Sequence, residues 1–386
     1  MIYLDNASTT KIDPKVFEAM VPYLTTFYGN PGSLCSLGRK SKKAVDRARE
    51  QVAEFVGANP ENIVFTSGST EANNSVIYHS SFHNKGKMIV TSSIEHESVL
   101  DAVSGWGKYL NVFRVSPNKH GIITAKSVQY ILSRHGNDVA LVSIMHTNNE
   151  TGVKNEIEEI GKICNEYGVP FHTDCTQAAG GERLDVNKLH CDFLSISAHK
   201  IHGPKGVGAL YVRDPHGFSP MIHGGHFQEF GLRSGTENVA GIVGLGCACQ
   251  LINSNLDTYV DKINSLREKF VETLRRELVE ESDFHINSSA GKVANIMFHD
   301  VDGETLRIML DKEGVCVSAG SACRSHEQEP SYVLTSMGLT PDQARNSLRF
   351  SFSRLNNENE VVEAADIVAK KSVFLRYLAT QSKRNQ

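Results

Sequence analysis

Six short apolar runs, at residues 63–65, 88–91, 139–145, 170–172, 193–196 and 209–212, alternate with helical patterns such as 41–56 and 156–167. Runs of four to eight apolar residues bounded by polar turns read as buried strands, and amphipathic stretches beside them read as crossover helices. This alternation predicts an α/β fold with a mostly parallel, open central sheet. Farther along, a long helical pattern at 253–281 is followed by a change of texture. Residues 293–298, 304–313 and 315–318 predict a smaller α+β unit, closed by a helix over 361–378 with Asn357 near its start as a cap.

With 386 residues the chain exceeds the usual single domain. The division expected is a large domain at 15–257 and a small C-terminal domain at 258–386, with the arm 1–14 packing on the small one. A net charge of −4 gives no basic excess, so neither direct nucleic-acid binding nor a membrane surface is expected. Met1-Ile2-Tyr3-Leu4-Asp5 lacks a signal-peptide pattern, and no apolar stretch near the length of a membrane span stands out. The eight cysteines, at 35, 164, 175, 191, 247, 249, 316 and 323, include no Cys-x-x-Cys pair, which fits a reducing, cytoplasmic setting.

Ligands of open α/β sheets sit beyond the carboxyl ends of the strands, so the polar residues there carry the functional reading. The first run leads into Thr66-Ser67-Gly68-Ser69-Thr70-Glu71-Ala72-Asn73-Asn74, a glycine turn opening a helix and a candidate anion cradle, or else an ordinary capped loop. It is not a Walker loop, since no Gly-Lys-Ser/Thr follows. Glu95-His96 follows the second run; the histidine suits ring stacking or proton transfer, but also plain solvation. His146-Thr147-Asn148-Asn149-Glu150-Thr151-Gly152 follows the third, and suits a ligand site or a turn. The fourth leads to Asp174, a carboxylate that a protonated ring nitrogen would pair, or a helix cap. After the fifth come Ser197-Ala198-His199-Lys200 and a Gly/Pro-rich turn, which make Lys200 a Schiff-base candidate, with Ser197 and His199 able to reach phosphate oxygens. Asn148, Asp174 and Lys200 are spaced 26 residues apart, as neighbouring strand ends of a βαβ sheet would be.

Together these segments resemble the class I cysteine desulfurases, the NifS/IscS-like group of fold-type I enzymes dependent on pyridoxal 5'-phosphate (PLP). The likeness extends from Tyr3-Leu4-Asp5-Asn6-Ala7-Ser8-Thr9-Thr10 through the motifs above and Arg233-Ser234-Gly235-Thr236. It continues to Ser318-Ala319-Gly320-Ser321-Ala322-Cys323, Glu329-Pro330-Ser331-Tyr332-Val333-Leu334 and Arg349-Phe350-Ser351. It implies that Lys200 anchors PLP and moves the substrate Cα proton. It implies that His96 stacks on the ring, Asp174 pairs with its nitrogen and Gln177 contacts its oxygen. Thr70, Ser197 and His199, with Gly68 and Ser69 of the turn, would hold the phosphate. Thr236 would do so from the other subunit of a homodimer. Asn148 and Arg349 would grip the carboxylate of L-cysteine. Cys323 would take the sulfur as a persulfide, leaving L-alanine, and pass it to an acceptor protein. The polar run Arg324-Ser325-His326-Glu327-Gln328 fits an exposed thiolate, whereas Cys164, Cys247, Cys249 and Cys316 read as packing residues.

Some positions depart from the group. Gly224-Gly225-His226-Phe227-Gln228-Glu229-Phe230-Gly231 is one residue longer than usual and lacks an arginine. Cys35 and Cys175 replace a histidine and a small residue. His216, His223 and His226 match no metal-ligand spacing, so no metal is expected. The chain closes soon after its last helical pattern, where members serving the iron–sulfur scaffold carry a longer tail. Iron–sulfur clusters, thiolated tRNA and phosphorothioated DNA therefore all stay open as destinations. The rival readings are a selenocysteine lyase or another fold-type I enzyme such as an aminotransferase, a sulfur-relay or scaffold protein without catalysis, and a nucleotide binder using 203–208. The last is disfavoured because that segment opens into a strand.

Overall fold

The computed structural model describes residues 1–84, 87–106, 110–225, 227–320 and 329–384. Its strands, in chain order, are β1 (Ile2–Tyr3), β2 (Ile63–Thr66), β3 (Met88–Ser92), β4 (Asn111–Val115), β5 (Val139–Ser143) and β6 (Phe171–Asp174). They continue with β7 (Phe193–Ser197), β8 (Gly208–Val212), β9 (Phe284–Ala290), β10 (Val293–Phe298), β11 (Val315–Cys316) and β12 (Ser347–Ser351). Among the described residues, seven strands form one sheet in the order β2-β8-β7-β6-β5-β3-β4, and only β8 runs against its neighbours. The mostly parallel α/β sheet is therefore as the alternation of apolar runs predicts.

Alternation within each strand feeds two apolar layers. Ile63, Phe65, Val90, Val142 and Leu194 enter one core with helices Ser36–Val56 and Ile157–Glu166. Val64, Ile89, Leu141, Phe193 and Leu210 enter the other, beneath Ser69–His83 and Glu97–Trp106. Covering both faces is what allows strands with no polar side to persist. β4 escapes the sequence reading because four of its five residues are exposed, so it presents no apolar run.

The long helix is Val239–Glu277, starting well before the predicted position. Its first half packs Leu245, Ala248, Ile252 and Leu256 into the sheet core. Its second half packs Leu266, Phe270 and Leu274 into a separate core with Phe298, Phe350 and Phe352. The expected boundary at 257/258 lies in this helix, between Leu256 and Leu266. The helix also corrects the reading that no apolar stretch nears membrane-span length. By length and composition it could cross a bilayer, but 56% of its most apolar window is buried inside the protein.

The second core is backed by the antiparallel sheet β12-β10-β9 and the helix Glu358–Arg384. Ile2 and Leu4 belong to it, and β1 pairs in parallel with β11 in the register Ile2↔Val315. The arm then runs back to the large sheet, where Thr10 N–H donates to His199 O at 2.9 Å. Chain segments from both cores thus meet at the carboxyl ends of β5, β6 and β7.

Candidate active site

The turn after β2 is built for an anion. Gly68 is the N-cap of Ser69–His83 and no side chain among the described residues caps that helix, so its first amides and dipole face outward. Gly68 has φ 151°, a conformation that favours glycine. Across the sheet a Cβ on Gly208 would lie 2.5 Å from Ile196 O and 2.7 Å from Gly68 Cα, so the chains touch there without side chains. Ser197 Oγ sits 3.6 Å from where a Gly68 Cβ would be. Thr70 is exposed in the first turn. Glu71 beside it accepts from Arg233 Nε at 2.9 Å, which ties the 233–236 segment and the exposed Thr236 to the turn. Burial works to raise the Glu71 carboxyl, but hydrogen bonds from Arg233 and Ser67 hold it below its ordinary range.

Asp174 ends β6 almost fully buried. Its Oδ1 accepts from Thr176 N–H at 2.9 Å and its Oδ2 from Asn73 Nδ2 at 2.8 Å. Among the described residues no lysine or arginine pairs with it. A buried carboxylate with hydrogen bonds but no countercharge is what a protonated ring nitrogen would complete. Asn73 also donates to Ser98 Oγ at 2.9 Å, and Ser98 Oγ lies 2.9 Å from His96 Nδ1. The Ser98 N–H donates to the same Nδ1 at 3.1 Å, so the neutral ring carries its proton on Nε2. Burial, then the charge of Lys200, lowers the His96 imidazole; the Asp174 carboxylate acts the other way without prevailing.

Lys200 follows β7, and its Nζ donates to Ala7 O and Ser8 O, both at 2.7 Å. Gln177 Nε2 donates to Ala7 O at 2.9 Å, while its buried Oε1 has no partner among the described residues. His199 Nδ1 lies 3.2 Å from Thr9 Oγ1. Burial, with nearby Lys200, Lys205 and Lys292, lowers the His199 imidazole to about 4. Asn148 is buried, its Oδ1 accepting from the N–H groups of Glu150 and Thr151 and its Nδ2 donating to Ile94 O. Arg349 is also buried, and its Nη2 pairs with Asp5 Oδ1 at 2.9 Å.

The residues predicted from Gly68 to Lys200 thus gather along one sheet edge. Thr236 is exposed, on the segment that Arg233 ties to the Gly68 turn. Cys323 and His226 lie outside the described residues. Near Cys323 in sequence, Ser331 Oγ donates to Glu150 Oε2 at 2.6 Å, and Gly320 faces the same carboxylate. Sequence reading missed Asn73, Ser98, Asp5 and the carbonyls of Ala7 and Ser8. Asn73 and the arm lie within the recognised motifs, but only the fold shows what they bond. Among the described residues no cluster of three or more histidines, cysteines or carboxylates could hold a metal ion.

Residues 2–363 match the aminotransferase class-V family. A cysteine desulfurase of Nostoc sp. (strain PCC 7120) is 42% identical over 382 residues, covering 98% of this chain and 94% of that protein. A solved structure described as a NifS-like protein superposes with a TM-score of 0.88 at 32% identity, covering 97% of this chain and 99% of that one. Another, described as SspA in complex with cysteine, has a TM-score of 0.78 at 32% identity, with 92% and 100% covered. The uncapped helix start, the uncompensated Asp174 carboxylate and the lysine between them fit a phosphate, a ring nitrogen and an aldehyde in one molecule, PLP. The chain belongs to the aminotransferase class-V family and, within it, to the PLP-dependent cysteine desulfurases.

Proposed function

We propose that Lys200 is the cofactor-bearing and proton-moving residue of this desulfurase, and that Cys323 takes the sulfur. The observation that carries the reading is the buried Asp174 carboxylate, held by Asn73 and Thr176 with no lysine or arginine paired to it among the described residues, on the strand next to the one that delivers Lys200. Bound PLP supplies an electron sink conjugated with the substrate α-carbon. Asp174 keeps a ring nitrogen protonated, and the turn at Gly68, Ser69 and Thr70, with Ser197 and His199, holds the phosphate. His96 would stack on the ring with its proton on Nε2, and Gln177 would contact the ring oxygen through its side-chain amide. Lys200 Nζ leaves the carbonyls of Ala7 and Ser8 and carries the Cα proton. The Cys323 thiolate attacks the substrate Sγ. The S–S bond forms, the Cβ–Sγ bond breaks, and its electron pair stays with Cβ, which is protonated to the methyl group of L-alanine.

Asn148 and Arg349 are assigned to the substrate carboxylate, and Arg349 must first exchange its Asp5 partner. The large and small domains at 15–257 and 258–386, with the arm 1–14, meet over this site. A homodimer with Thr236 completing the partner's phosphate site is supported by the exposure of Thr236 together with Phe227 and Phe230. The persulfide sulfur then passes to an acceptor protein, for iron–sulfur clusters, thiolated tRNA or phosphorothioated DNA.

Two variants test the roles. Lys200→Ala should lose the visible absorbance of the bound cofactor. Cys323→Ser should keep that absorbance and lose alanine formation. Wild-type alanine production by Cys323→Ser over many turnovers would remove the role of Cys323. Retention of the band by Lys200→Ala would remove that of Lys200.

A further inference from the structure

The two residues assigned to the substrate carboxylate are both occupied. Arg349 donates from Nη2 to Asp5 Oδ1 at 2.9 Å and to Ser8 Oγ at 2.6 Å, and from Nη1 to Asn149 O at 2.8 Å. Asn148 uses its amide to shape its own turn and to hold Ile94 O. An anion entering a buried site needs a countercharge, because an unpaired one is costly there.

Lys200 lines a cavity of about 210 Å³ between the two cores. Among the described residues, three other cations line it. Lys154 is paired with Glu182, and Arg354 donates to Asp13 Oδ2 at 2.7 Å. The third is Lys292, on the turn between β9 and β10. Among the described residues its ammonium has neither a carboxylate partner nor a hydrogen-bond acceptor, and the charges acting on it, Lys200 and Arg349, are both positive. The turn is fixed. Lys292 O accepts from Phe352 N–H at 2.8 Å and Gly291 O accepts from Arg267. Ala290 and Val293 press so closely on Gly152 that no Cβ would fit there. Burial first, then the charges of Lys200 and Arg349, lowers the Lys292 ammonium to about 7. A cation held in place at that cost is stabilised by any anion that joins it.

We propose that Lys292 is a carboxylate-binding residue of this cavity. Two sources share that chemistry. One is the carboxylate of the amino-acid substrate; this version rests on Lys200 as the cofactor anchor. The other is a separate small monocarboxylate lying against Ile252, Ile263 and Phe352, and it needs no such assignment.

The test titrates the holoenzyme with sodium propionate by calorimetry, in the wild type, K292M and K292R. Propionate should bind the wild type, and K292M should weaken it about tenfold or more, the worth of one charge-assisted hydrogen bond. K292R should keep most of the affinity, a rescue that lost packing alone would not give. If the substrate supplies the carboxylate, propionate competes with cysteine. K292M then raises KM for cysteine with little change in kcat, while turnover of cysteamine, which lacks the carboxylate, is unaffected. If the ligand is separate, propionate does not compete and KM stays put. Failure of propionate to bind the wild type, or equal binding by K292M, would overturn the proposal. K292Q, checked by thermal melting, replaces K292M if that variant does not fold. Retention of the cofactor band by Lys200→Ala would sink the site reading alone, because propionate binding needs no turnover.

Discussion

Asn73 holds Asp174: the amide nitrogen donates to the carboxylate at 2.8 Å and shares its second hydrogen with Ser98, which in turn contacts His96. One fully buried side chain therefore orients both the residue proposed for the ring nitrogen and the one proposed to cover the ring.

Removing that amide strands two acceptors. Asn73→Ala should cost about 1–3 kcal/mol in the site, the usual penalty for an unmet buried polar group, and weaken cofactor binding about tenfold. Asn73→Asp should do worse, since it sets a second carboxylate against Asp174. Absorbance titration of the apoprotein with PLP measures both, and equal affinity in all three proteins would contradict the arrangement.

Glu95, beside His96, titrates in an unusual range. Its carboxyl is pushed up to about 8, chiefly by burial and against the hydrogen bonds from Ser92 and Met145. Between its ordinary value of 4.5 and about 8, the native chain keeps a proton that the unfolded chain has lost. Stability is therefore fully present below that window and falls as pH rises through it, with a slope of about 1.4 kcal/mol per pH unit from this group. Glu95→Gln keeps the acceptor oxygen and has no proton to lose. Denaturant melts at several pH values should show a flatter curve for Glu95→Gln than for the wild type.

The unusual 224–231 segment is anchored by a buried ion pair. Glu229 accepts from Arg49 Nη2 at 2.7 Å, Arg49 Nη1 at 2.8 Å and Phe65 N–H at 2.7 Å, while Glu229 and Phe230 both adopt positive φ. Glu229→Ala leaves the Arg49 charge uncompensated in the core and should destabilise the fold by about 3–5 kcal/mol. Chemical denaturation reads this directly, and a loss below 1 kcal/mol would mean that Arg49 finds another partner.

Gly152 stands where the Asn148 turn meets the β9–β10 turn. With φ 71° and Ala290 O and Val293 packed over it, it has no space for a methyl group. Gly152→Ala should cost roughly 2–4 kcal/mol, from conformation and overpacking together. It should also shift Lys292, so its propionate affinity is expected to fall along with its melting temperature.

Much of this site is legible in sequence because each strand of a parallel sheet delivers its last polar residue to the same edge. His96, Asn148, Asp174 and Lys200 each follow a recognisable apolar run. Partners that arrive from elsewhere in the chain leave no such trace. Asp5 meets Arg349 across almost the whole sequence, and Lys292 is one lysine in a turn until the fold sets it beside Lys200. The helix Val239–Glu277 begins among glycines and cysteines that look like a plain apolar run, because its first turns are buried on several sides. β4 fails for the opposite reason, as an edge strand with little to bury.

The pairing of β1 with β11, and of Asp5 with Arg349, has a consequence for how the protein is made. The arm leaves the ribosome well before its partners do, since Asp5 precedes Arg349 by 344 residues. Until those partners emerge the arm has nowhere native to go, and the two carbonyls that hold Lys200 wait with it. The nascent chain can assemble its large sheet early, but the cavity around its lysine closes only after Arg349 has emerged.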